Sequence, residues 1–200
     1  ANPGPNDTIN MALIGCGARG GNQVMPSFME LPGVRITAVC DVNSNHLAKY
    51  RQKAGGDNVA AYRDYRKLLE DKSIDAVIVA TQAHWHVPIA VAACQAGKDV
   101  YLEKPLGNSI GEGQYLIEAA KKYNRIVQIG TQQHSMEHYC KAVEIVQSGR
   151  LGDISMVDVW DHTYWAPGRG FPADCDPPPE LDWEFYVGPA PMRSYNPNIY

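Results

Sequence analysis

Three glycines near the start of the chain have the spacing of a phosphate-binding turn. Residues 15–20 are Gly-Cys-Gly-Ala-Arg-Gly, which matches G-x-G-x-x-G. Gly15 would allow a tight turn, Gly17 would let a pyrophosphate approach the backbone, and Gly20 would let a helix pack closely on a strand. The start of that helix would offer free N–H groups and a partial positive charge. The predicted chemistry is therefore the binding of a dinucleotide's phosphates.

An aspartate follows where a ribose-binding carboxylate is expected. A short apolar strand, Ile9–Ile14, precedes the glycines, and residues 21–31 have a helical pattern. A second strand, Val34–Cys40, leads into Asp41, about twenty residues beyond the last glycine. Together these features favour dinucleotide binding over a βα turn with a surface aspartate. Asp41 favours NAD over NADP because a carboxylate repels a 2′-phosphate, although Arg19 could soften that preference.

A lysine follows a later predicted strand, in the run Glu103, Lys104, Pro105. Proline disfavours helical geometry in the residue before it, so Lys104 should be extended at the edge of the sheet. A partly desolvated lysine beside a nicotinamide could exchange a proton with a substrate hydroxyl while a hydride moves to the cofactor. The alternative is an exposed lysine paired with a neighbouring glutamate, and the spacing does not decide between the two.

Two histidines and a tryptophan follow another predicted strand. His84 and His86 could contact the nicotinamide half of the cofactor or the substrate, and Trp85 could form a wall of the pocket. In the alternative interpretation, His86 caps its helix and Trp85 packs against neighbouring side chains. Both interpretations stay open.

A zinc-protease pattern occurs later in the chain. The run from His134 to His138 matches H-x-x-E-H, which requires both histidines on one helix. Because His134 precedes the predicted helix start at Met136, we expect a helix entry there and no metal site.

Strands and helices alternate along the chain and place these residues in loops that follow strands. Pro88 is expected in the first turn of its helix, and Ser109 and Glu112 form a predicted capping box. Alternation of this kind predicts an α/β fold with a doubly wound parallel (Rossmann) sheet, whose ligands bind beyond the carboxyl ends of the strands. The other predicted strands are 59–62, 75–80, 99–102 and 126–129, and the helices are 43–54, 65–70, 86–96, 109–123 and 136–147.

The pattern changes near Gly149. We predict a flexible lead at residues 1–7, the dinucleotide-binding domain at 8–150, and the beginning of an α+β substrate domain at 151–200. That last segment has a predicted strand, Ile154–Trp160, and then a stretch rich in proline and aromatic residues. Because this stretch has no periodicity for a core of its own, it must lie on something else.

Composition excludes several classes of protein. A formal net charge of -4 and a pI of about 5.8 give no basic surface for nucleic acid. No apolar run approaches the roughly 20 residues that cross a bilayer. The five cysteines are scattered, odd in number and without C-x-x-C, so we expect free thiols rather than a disulfide framework.

Taken together, the motifs resemble those of the Gfo/Idh/MocA oxidoreductases, the family named for glucose–fructose oxidoreductase and inositol dehydrogenase. The resemblance covers nearly the whole chain, and Glu-Lys-Pro is its most specific part. The shared stretches, in chain order, are residues 15–20, 81–86, 103–106, 130–133 and 182–189.

The resemblance implies NAD(P)-dependent oxidation or reduction of a sugar, amino sugar or cyclitol, with Lys104 close to both nicotinamide and substrate. Similar members are often exported by the twin-arginine route, which leaves a periplasmic or a cytoplasmic location open. Subunits of the family commonly associate through the substrate domain, so a homo-oligomer is implied for the full-length form. Around the cofactor the resemblance places Ala18, Arg19, Asp41, Thr81, His86, Glu103 and Gln132.

One part of the family pattern does not match. The second catalytic group is usually a histidine in a D-x-x-x-H setting, whereas His162 directly follows Asp161. The order of motifs places that histidine after Tyr200, so we expect this chain to hold the cofactor domain and only the beginning of the substrate domain.

Three hypotheses for function follow. The first is a dehydrogenase that acts on a sugar-like polyol. A second is a redox-neutral glycosidase that oxidises a sugar transiently, eliminates the aglycone and returns the hydride. The third is a non-catalytic nucleotide-binding module, which would bind NAD without turning over any sugar.

Overall fold

The computed structural model describes residues 8–160 and 170–200. The predicted flexible lead, 1–7, lies outside the described residues. Contacts divide the described chain into two compact units. The first contains residues 8–130 and 176–195, and the second contains 131–160, 170–175 and 196–200. The assignment of residues 151–200 to the beginning of a substrate domain stays a prediction.

The first unit is built on a six-stranded sheet in the order β3-β2-β1-β4-β5-β6, and every pair of neighbouring strands is parallel. This order confirms the predicted doubly wound α/β fold, because the chain moves outward from β1 first in one direction and then in the other. The strands are β1 Ile9–Ile14, β2 Val34–Cys40, β3 Ala60–Tyr62, β4 Ala76–Val79, β5 Asp99–Glu103 and β6 Val127–Gly130.

Helices connect the strands. A π-helical turn, Gly20–Val24, leads directly into the first α-helix, and short 3-10 turns occupy Gly56–Asn58 and Gln132–Ser135. The α-helices are α1 Met25–Met29, α2 Ser44–Ala54, α3 Tyr65–Leu69, α4 Ala83–Gln95, α5 Ile110–Tyr123, α6 Glu137–Gln147 and α7 Trp183–Val187. All but α6 belong to the first unit.

The sheet separates two apolar cores. Along β1, Ala12 and Ile14 face one core, while Met11 and Leu13 face the other. This alternation follows from the two-residue period of a strand. All four residues of β4 are buried, as expected of a strand that is covered on both faces.

Helix α4 begins at Ala83, three residues earlier than predicted, so the prediction of Pro88 in its first turn is wrong. Pro88 lies inside the helix and removes the N–H that would bond to the His84 carbonyl. Contacts of His84 and Trp85 with a distant segment hold the first turn in place. Tertiary contacts therefore outweigh the local preference.

The capping box of α5 has a modified form. The Ser109 hydroxyl accepts from the Glu112 amide at 3.3 Å, as predicted. The Glu112 carboxylate accepts from the Asn108 amide at 2.6 Å instead of from the cap residue itself. Both bonds satisfy amides at the helix start that would otherwise lack partners.

Residues 176–195, here called the docked segment, pack against the loop after β2 and against helices α3 and α4 of the first unit. Leu181 forms an antiparallel bridge with Asn43, and the Ser44 amide donates to the Glu180 carbonyl at 3.0 Å. Asp182 caps α7 by accepting from the Phe185 amide at 3.0 Å. For residues 176–195, the expectation that the proline- and aromatic-rich stretch lies on another part of the chain is confirmed.

The predicted strand Ile154–Trp160 is wrong, because these residues form no regular secondary structure and are exposed. A strand needs a neighbour to satisfy its backbone groups, and no pairing involves them among the described residues. The described part of the second unit instead contains α6 and side-chain bonds from Asn196 to the Pro172 carbonyl and to Asp174.

Removing the Trp183 ring is expected to destabilise the first unit by about 3 kcal/mol. Trp183 is buried, stacks on Tyr186 with ring centroids 5.2 Å apart, and donates its indole N–H to the Arg193 carbonyl at 2.8 Å. Denaturant unfolding of Trp183→Ala measures the loss. The control is Trp160→Ala, because Trp160 is 71% exposed and should change the unfolding free energy by less than about 0.5 kcal/mol. Equal effects of the two substitutions would mean that the docked segment does not stabilise the unit.

Candidate functional site

The carboxyl ends of four neighbouring strands bring the predicted site residues together. Strands β2, β1, β4 and β5 are adjacent and parallel, so the loops that follow them lie along one edge. This edge carries Asp41, the glycine turn, Thr81 and Lys104 in that order. With strands about 4.8 Å apart, the row extends over roughly 15 Å. It includes the crevice between β1 and β4, where the strand order reverses and doubly wound sheets bind their ligands.

Gly15 and Gly20 have the predicted packing roles, and the role of Gly17 beside a pyrophosphate stays a prediction. Gly15 has a φ of +93°, and a Cβ there would lie 2.6 Å from the Ala80 carbonyl oxygen. A Cβ on Gly20 would overlap the Gly15 carbonyl and press on Leu13, so this glycine allows the helix to pack on the strand. A Cβ on Gly17 would meet nothing within 4 Å. The turn therefore leaves open space at the position where a pyrophosphate would approach the backbone.

A fourth glycine, Gly21, has a packing role that the G-x-G-x-x-G motif does not predict. A Cβ on Gly21 would collide with the ring of Tyr50, which is buried and donates its hydroxyl to Asn22 at 3.0 Å. Tyr50 lies on α2, so the start of the first helix and α2 touch through this contact. The only signal in the sequence was the Gly-Gly pair itself.

Substitution of Gly17 and Gly20 by alanine should separate binding from folding. Gly17→Ala is expected to weaken NAD binding by about tenfold or more, from an overpacking cost of about 1–3 kcal/mol against the pyrophosphate. Its unfolding free energy should change by less than about 0.5 kcal/mol, because the added methyl meets open space. Gly20→Ala should instead destabilise the fold by about 2 kcal/mol. Calorimetric titration with NAD and thermal unfolding check both results, and unchanged affinity in Gly17→Ala would contradict the assignment.

Asp41 is tied to the glycine turn. One carboxylate oxygen accepts from the Cys16 amide at 2.6 Å, and the other accepts from the Asn43 amide at 2.7 Å. Burial raises the pKa of Asp41 above its usual value, and these two hydrogen bonds partly offset the shift. Each oxygen keeps a further acceptor site. The carboxylate is thus oriented at the end of β2, next to the turn, with capacity for two ribose hydroxyls.

Arg19 does not lie beside Asp41. Its guanidinium donates to the Glu103 carboxylate at 2.8 Å and also to Gln23. Glu103 is buried at the end of β5, on the opposite side of β1 from β2. The hydrogen bond to Glu103 raises the pKa of Arg19. Arg19 therefore binds a residue at the end of β5, two strands from β1 and on the side away from Asp41. This arrangement gives no support to the expectation that Arg19 softens the preference for NAD.

Gly130, the last residue of β6, lies next to the side chains of Tyr101 and Glu103. A Cβ there would lie 2.8 Å from the Tyr101 hydroxyl and 3.0 Å from the Glu103 carboxylate. Burial, followed by the charge of Glu103, raises the pKa of Tyr101. A side chain at the end of β6 would therefore press on Tyr101 and on the buried Glu103 carboxylate.

Lys104 follows β5 directly, and its side chain is exposed. Its amide donates to the Glu103 carboxylate at 3.2 Å, and the peptide bond to Pro105 is cis. The predicted partial desolvation of Lys104 is not seen, and the alternative pairing with Glu103 is also wrong, because that carboxylate binds Arg19. Within residues 8–160 and 170–200, no hydrogen bond or ion pair is made by the Lys104 ammonium group.

The two histidines and Trp85 occupy the first turn of α4. Trp85 packs as the alternative predicted, but the N-cap of the helix is Gln82 and not His86. Contact of the histidines with a cofactor or substrate stays a prediction. The indole N–H of Trp85 donates to the Phe185 carbonyl at 3.0 Å, and His84 contacts the Tyr186 carbonyl at 2.9 Å through Nε2. Both residues thereby hold the docked segment. His86 is buried, with Nε2 lying 3.0 Å from the carbonyl oxygen of Thr81.

The other two predicted cofactor-binding residues are Ala18, at the glycine turn, and Gln132, in the second unit. Ala18 is exposed at the start of the first helix, as a residue near a phosphate would be. Gln132 belongs to the second unit, and its place beside the cofactor stays a prediction. His134 lies in the 3-10 turn before α6, which begins at Glu137.

The described residues form no disulfide and no metal-binding cluster. All five cysteines are described and free, which confirms that expectation. Burial, followed by the charge of Asp41, raises the pKa of the Cys16 thiol in the glycine turn, so this thiol stays protonated. No group of three acidic, histidine or cysteine side chains in the described part of the chain is placed to hold a metal. No described helix has the length and apolar character of a membrane span.

The sequence profile of a family described as "Oxidoreductase family, NAD-binding Rossmann fold" matches residues 9–131. The chain belongs to the Gfo/Idh/MocA oxidoreductase family. The match covers β1 to β6 of the first unit, so this unit is the NAD-binding Rossmann domain of a Gfo/Idh/MocA protein. This match confirms the dinucleotide cofactor that the glycine turn predicted, because the family's domain is an NAD-binding one.

Named relatives agree with this assignment. The inositol 2-dehydrogenase of Salmonella typhimurium is 33% identical over 155 residues, 75% of this chain and 45% of that protein. A glycosyl hydrolase family 109 protein of Saccharopolyspora erythraea is 32% identical over 157 residues, 74% of this chain and 34% of that protein. This Gfo/Idh/MocA chain therefore spans less than half the length of these curated relatives.

A solved structure shows the same fold. The crystal structure of myo-inositol 2-dehydrogenase from Lactobacillus plantarum superimposes with a TM-score of 0.66 and 28% identity, covering 74% of this chain and 43% of that one.

Proposed function

We propose that this protein is an NAD-dependent dehydrogenase that oxidises a CH–OH group of a sugar, amino sugar or cyclitol. The observation that carries the proposal is the position of Lys104, which stands exposed on the same sheet edge as the glycine turn and Asp41. An amine at that position can take a proton from a substrate hydroxyl. The inositol dehydrogenase relatives support a cyclitol or sugar as the substrate class.

The residues present fit the cofactor. Open space at Gly17 accommodates the pyrophosphate, and the amides at the start of the first helix can donate to it. Asp41 has acceptor capacity for the ribose hydroxyls. When bound, NAD accepts the hydride from the substrate carbon. Gly17 would therefore lie against the pyrophosphate, and Asp41 would hold a ribose of the dinucleotide.

Lys104 completes the chemistry on the protein side. In its neutral amine form, its Nζ takes the proton of the substrate hydroxyl as the C–H bond gives up its hydride, which leaves a carbonyl product and a protonated lysine. Arg19 and Glu103 hold the strand end that carries the lysine through their 2.8 Å ion pair. In the reverse direction Lys104 returns the proton to the forming hydroxyl.

The experiment is a substrate screen with the full-length protein. NAD is mixed with a panel of cyclitols, sugars and amino sugars, and NADH formation is followed by its absorbance. At least one polyol should give turnover that depends on both NAD and the polyol. NAD binding without turnover of any of them would favour a non-catalytic nucleotide-binding module instead.

A second candidate is a redox-neutral glycosidase, which the similarity to the glycosyl hydrolase family 109 protein supports. Transient oxidation of the sugar, elimination of the aglycone and return of the hydride would use the same edge and the same lysine. Cleavage of an aryl glycoside without net NADH, together with cofactor retained through purification, would select this activity.

A further inference from the structure

His86 lies between two loops of the sheet edge. The side chain is buried, and each ring nitrogen faces a backbone carbonyl. Nε2 is 3.0 Å from the Thr81 oxygen, at the end of β4, and Nδ1 is 2.5 Å from the Pro105 oxygen, in the loop after β5. The imidazole therefore lies between the ends of two neighbouring strands, with a carbonyl oxygen against each ring nitrogen.

One of these two contacts is with Pro105, the residue directly after Lys104. Lys104 is held on its N-terminal side by the bond from its own amide to Glu103, at 3.2 Å. On its C-terminal side, the Pro105 carbonyl is held by His86. Because the Lys104 side chain makes no bond with a described residue, the direction in which it leaves the backbone depends on these two anchors.

Helix α4 packs on the same loop through a second contact. A Cβ on Gly107 would lie 3.0 Å from a methyl of Val87, the residue after His86. The loop after β5 therefore packs closely on α4. The hydrogen bond between His86 and Pro105 fixes where along the helix the loop packs. A neutral imidazole has one N–H and can donate to only one of the two carbonyls. The shorter contact assigns that donor to Nδ1.

We propose that His86 is a positioning residue, whose Nδ1–H donates to the Pro105 carbonyl and thereby aims Lys104 at the substrate hydroxyl. This inference rests on the proposed role of Lys104 as the proton acceptor. It replaces the expectation that His86 touches the cofactor with a role that it exerts through the lysine loop.

Two substitutions separate the ring nitrogens. In His86→Asn the amide nitrogen takes the place of Nδ1, whereas in His86→Gln it takes the place of Nε2. We expect kcat of the Gln variant of the full-length protein to fall by about 10- to 100-fold, because misplacement of a catalytic group by about 1 Å costs that much. The Asn variant should stay within about threefold of the wild type. The dissociation constant for NAD should change less than about twofold in both.

A structural readout accompanies the kinetics. Amide hydrogen exchange in residues 103–107 should be faster in the Gln variant and unchanged in the Asn variant. If both variants lose kcat equally, or if exchange in this loop does not respond, the inference is overturned.

A measurement on the wild type keeps the test independent of how the variants fold. The ring ¹⁵N shifts of His86 should show a protonated Nδ1, and an unprotonated Nδ1 would overturn the assignment. These readouts also separate the two proposals. A wild type that turns over no polyol contradicts the proposed function, while the exchange and ¹⁵N results still decide whether His86 holds the loop.

Discussion

Lys104→Met is expected to lower kcat of the full-length enzyme by about 10²–10⁴-fold, the range for loss of a general acid–base group. Methionine is unbranched and only one atom shorter than lysine, but it cannot take a proton from the substrate hydroxyl. NAD binding should persist, since the glycine turn and Asp41 are unchanged. The unfolding free energy should change by less than about 0.5 kcal/mol, because Lys104 is exposed and its side chain has no partner among the described residues.

The matched control is Lys121→Met. Lys121 is also exposed, but it lies in the last turn of α5, away from the row of strand ends. Its loss should leave kcat and the affinity for NAD unchanged. Full activity of Lys104→Met on a substrate that the wild type oxidises would remove the lysine from the proton transfer. A rise in KM at constant kcat would assign it to substrate binding only.

Local patterns predicted the parts of the fold that depend on neighbouring residues. Strands β1 and β2 have the predicted bounds, because each is a short apolar run that ends at a turn or at a polar residue. The packing roles of Gly15 and Gly20 followed from their spacing, since the turn is formed by consecutive residues. These features need no knowledge of distant contacts.

Distant contacts decided what the sequence could not. Glu103 stands next to Lys104 in the chain, and yet its carboxylate is bound by Arg19, 84 residues away. The bond from His84 to the Tyr186 carbonyl joins residues 102 positions apart. The periodicity of apolar residues in the sequence does not indicate contacts between residues so far apart. The interpretation of His84 and Trp85 therefore stayed open until the position of the docked segment was known.

Asp41→Asn is expected to change which dinucleotide the protein prefers. The ratio of the Kd for NADP to the Kd for NAD should fall by on the order of 10³, since two unit charges 4 Å apart repel by about 4 kcal/mol at an effective dielectric constant of about 20. Affinity for NAD should itself fall, because hydrogen bonds to a charged group contribute about 1.5–3 kcal/mol. Arg19 cannot take over the 2′-phosphate, because it is bound to Glu103.

Calorimetric titration of both dinucleotides checks this result. The control is Asp57→Asn, because Asp57 is almost fully exposed and pairs only loosely with Arg51 at 3.3 Å. An unchanged ratio in Asp41→Asn would show that the carboxylate does not face the ribose.

The pH dependence of binding gives an independent test of the same carboxylate. Binding requires ionised Asp41 as the acceptor, and burial raises its pKa above the ordinary value of about 3.9. On acidification, affinity for NAD should therefore begin to fall at a higher pH than an exposed aspartate would allow. The effect on stability has the opposite sign. Because the folded state binds this proton more tightly than the unfolded state, the contribution of Asp41 to the unfolding free energy decreases as the pH rises through the interval between the two pKa values.

Comparison with Asp41→Asn isolates this contribution, since asparagine does not titrate. The difference in NAD affinity between wild type and variant should shrink as the pH is lowered, while the difference in unfolding free energy should shift in favour of the wild type. Parallel changes in both quantities would mean that acid acts on the fold as a whole. Opposite changes are expected only if one buried carboxylate has its pKa raised by the fold and must be ionised to hold the ribose.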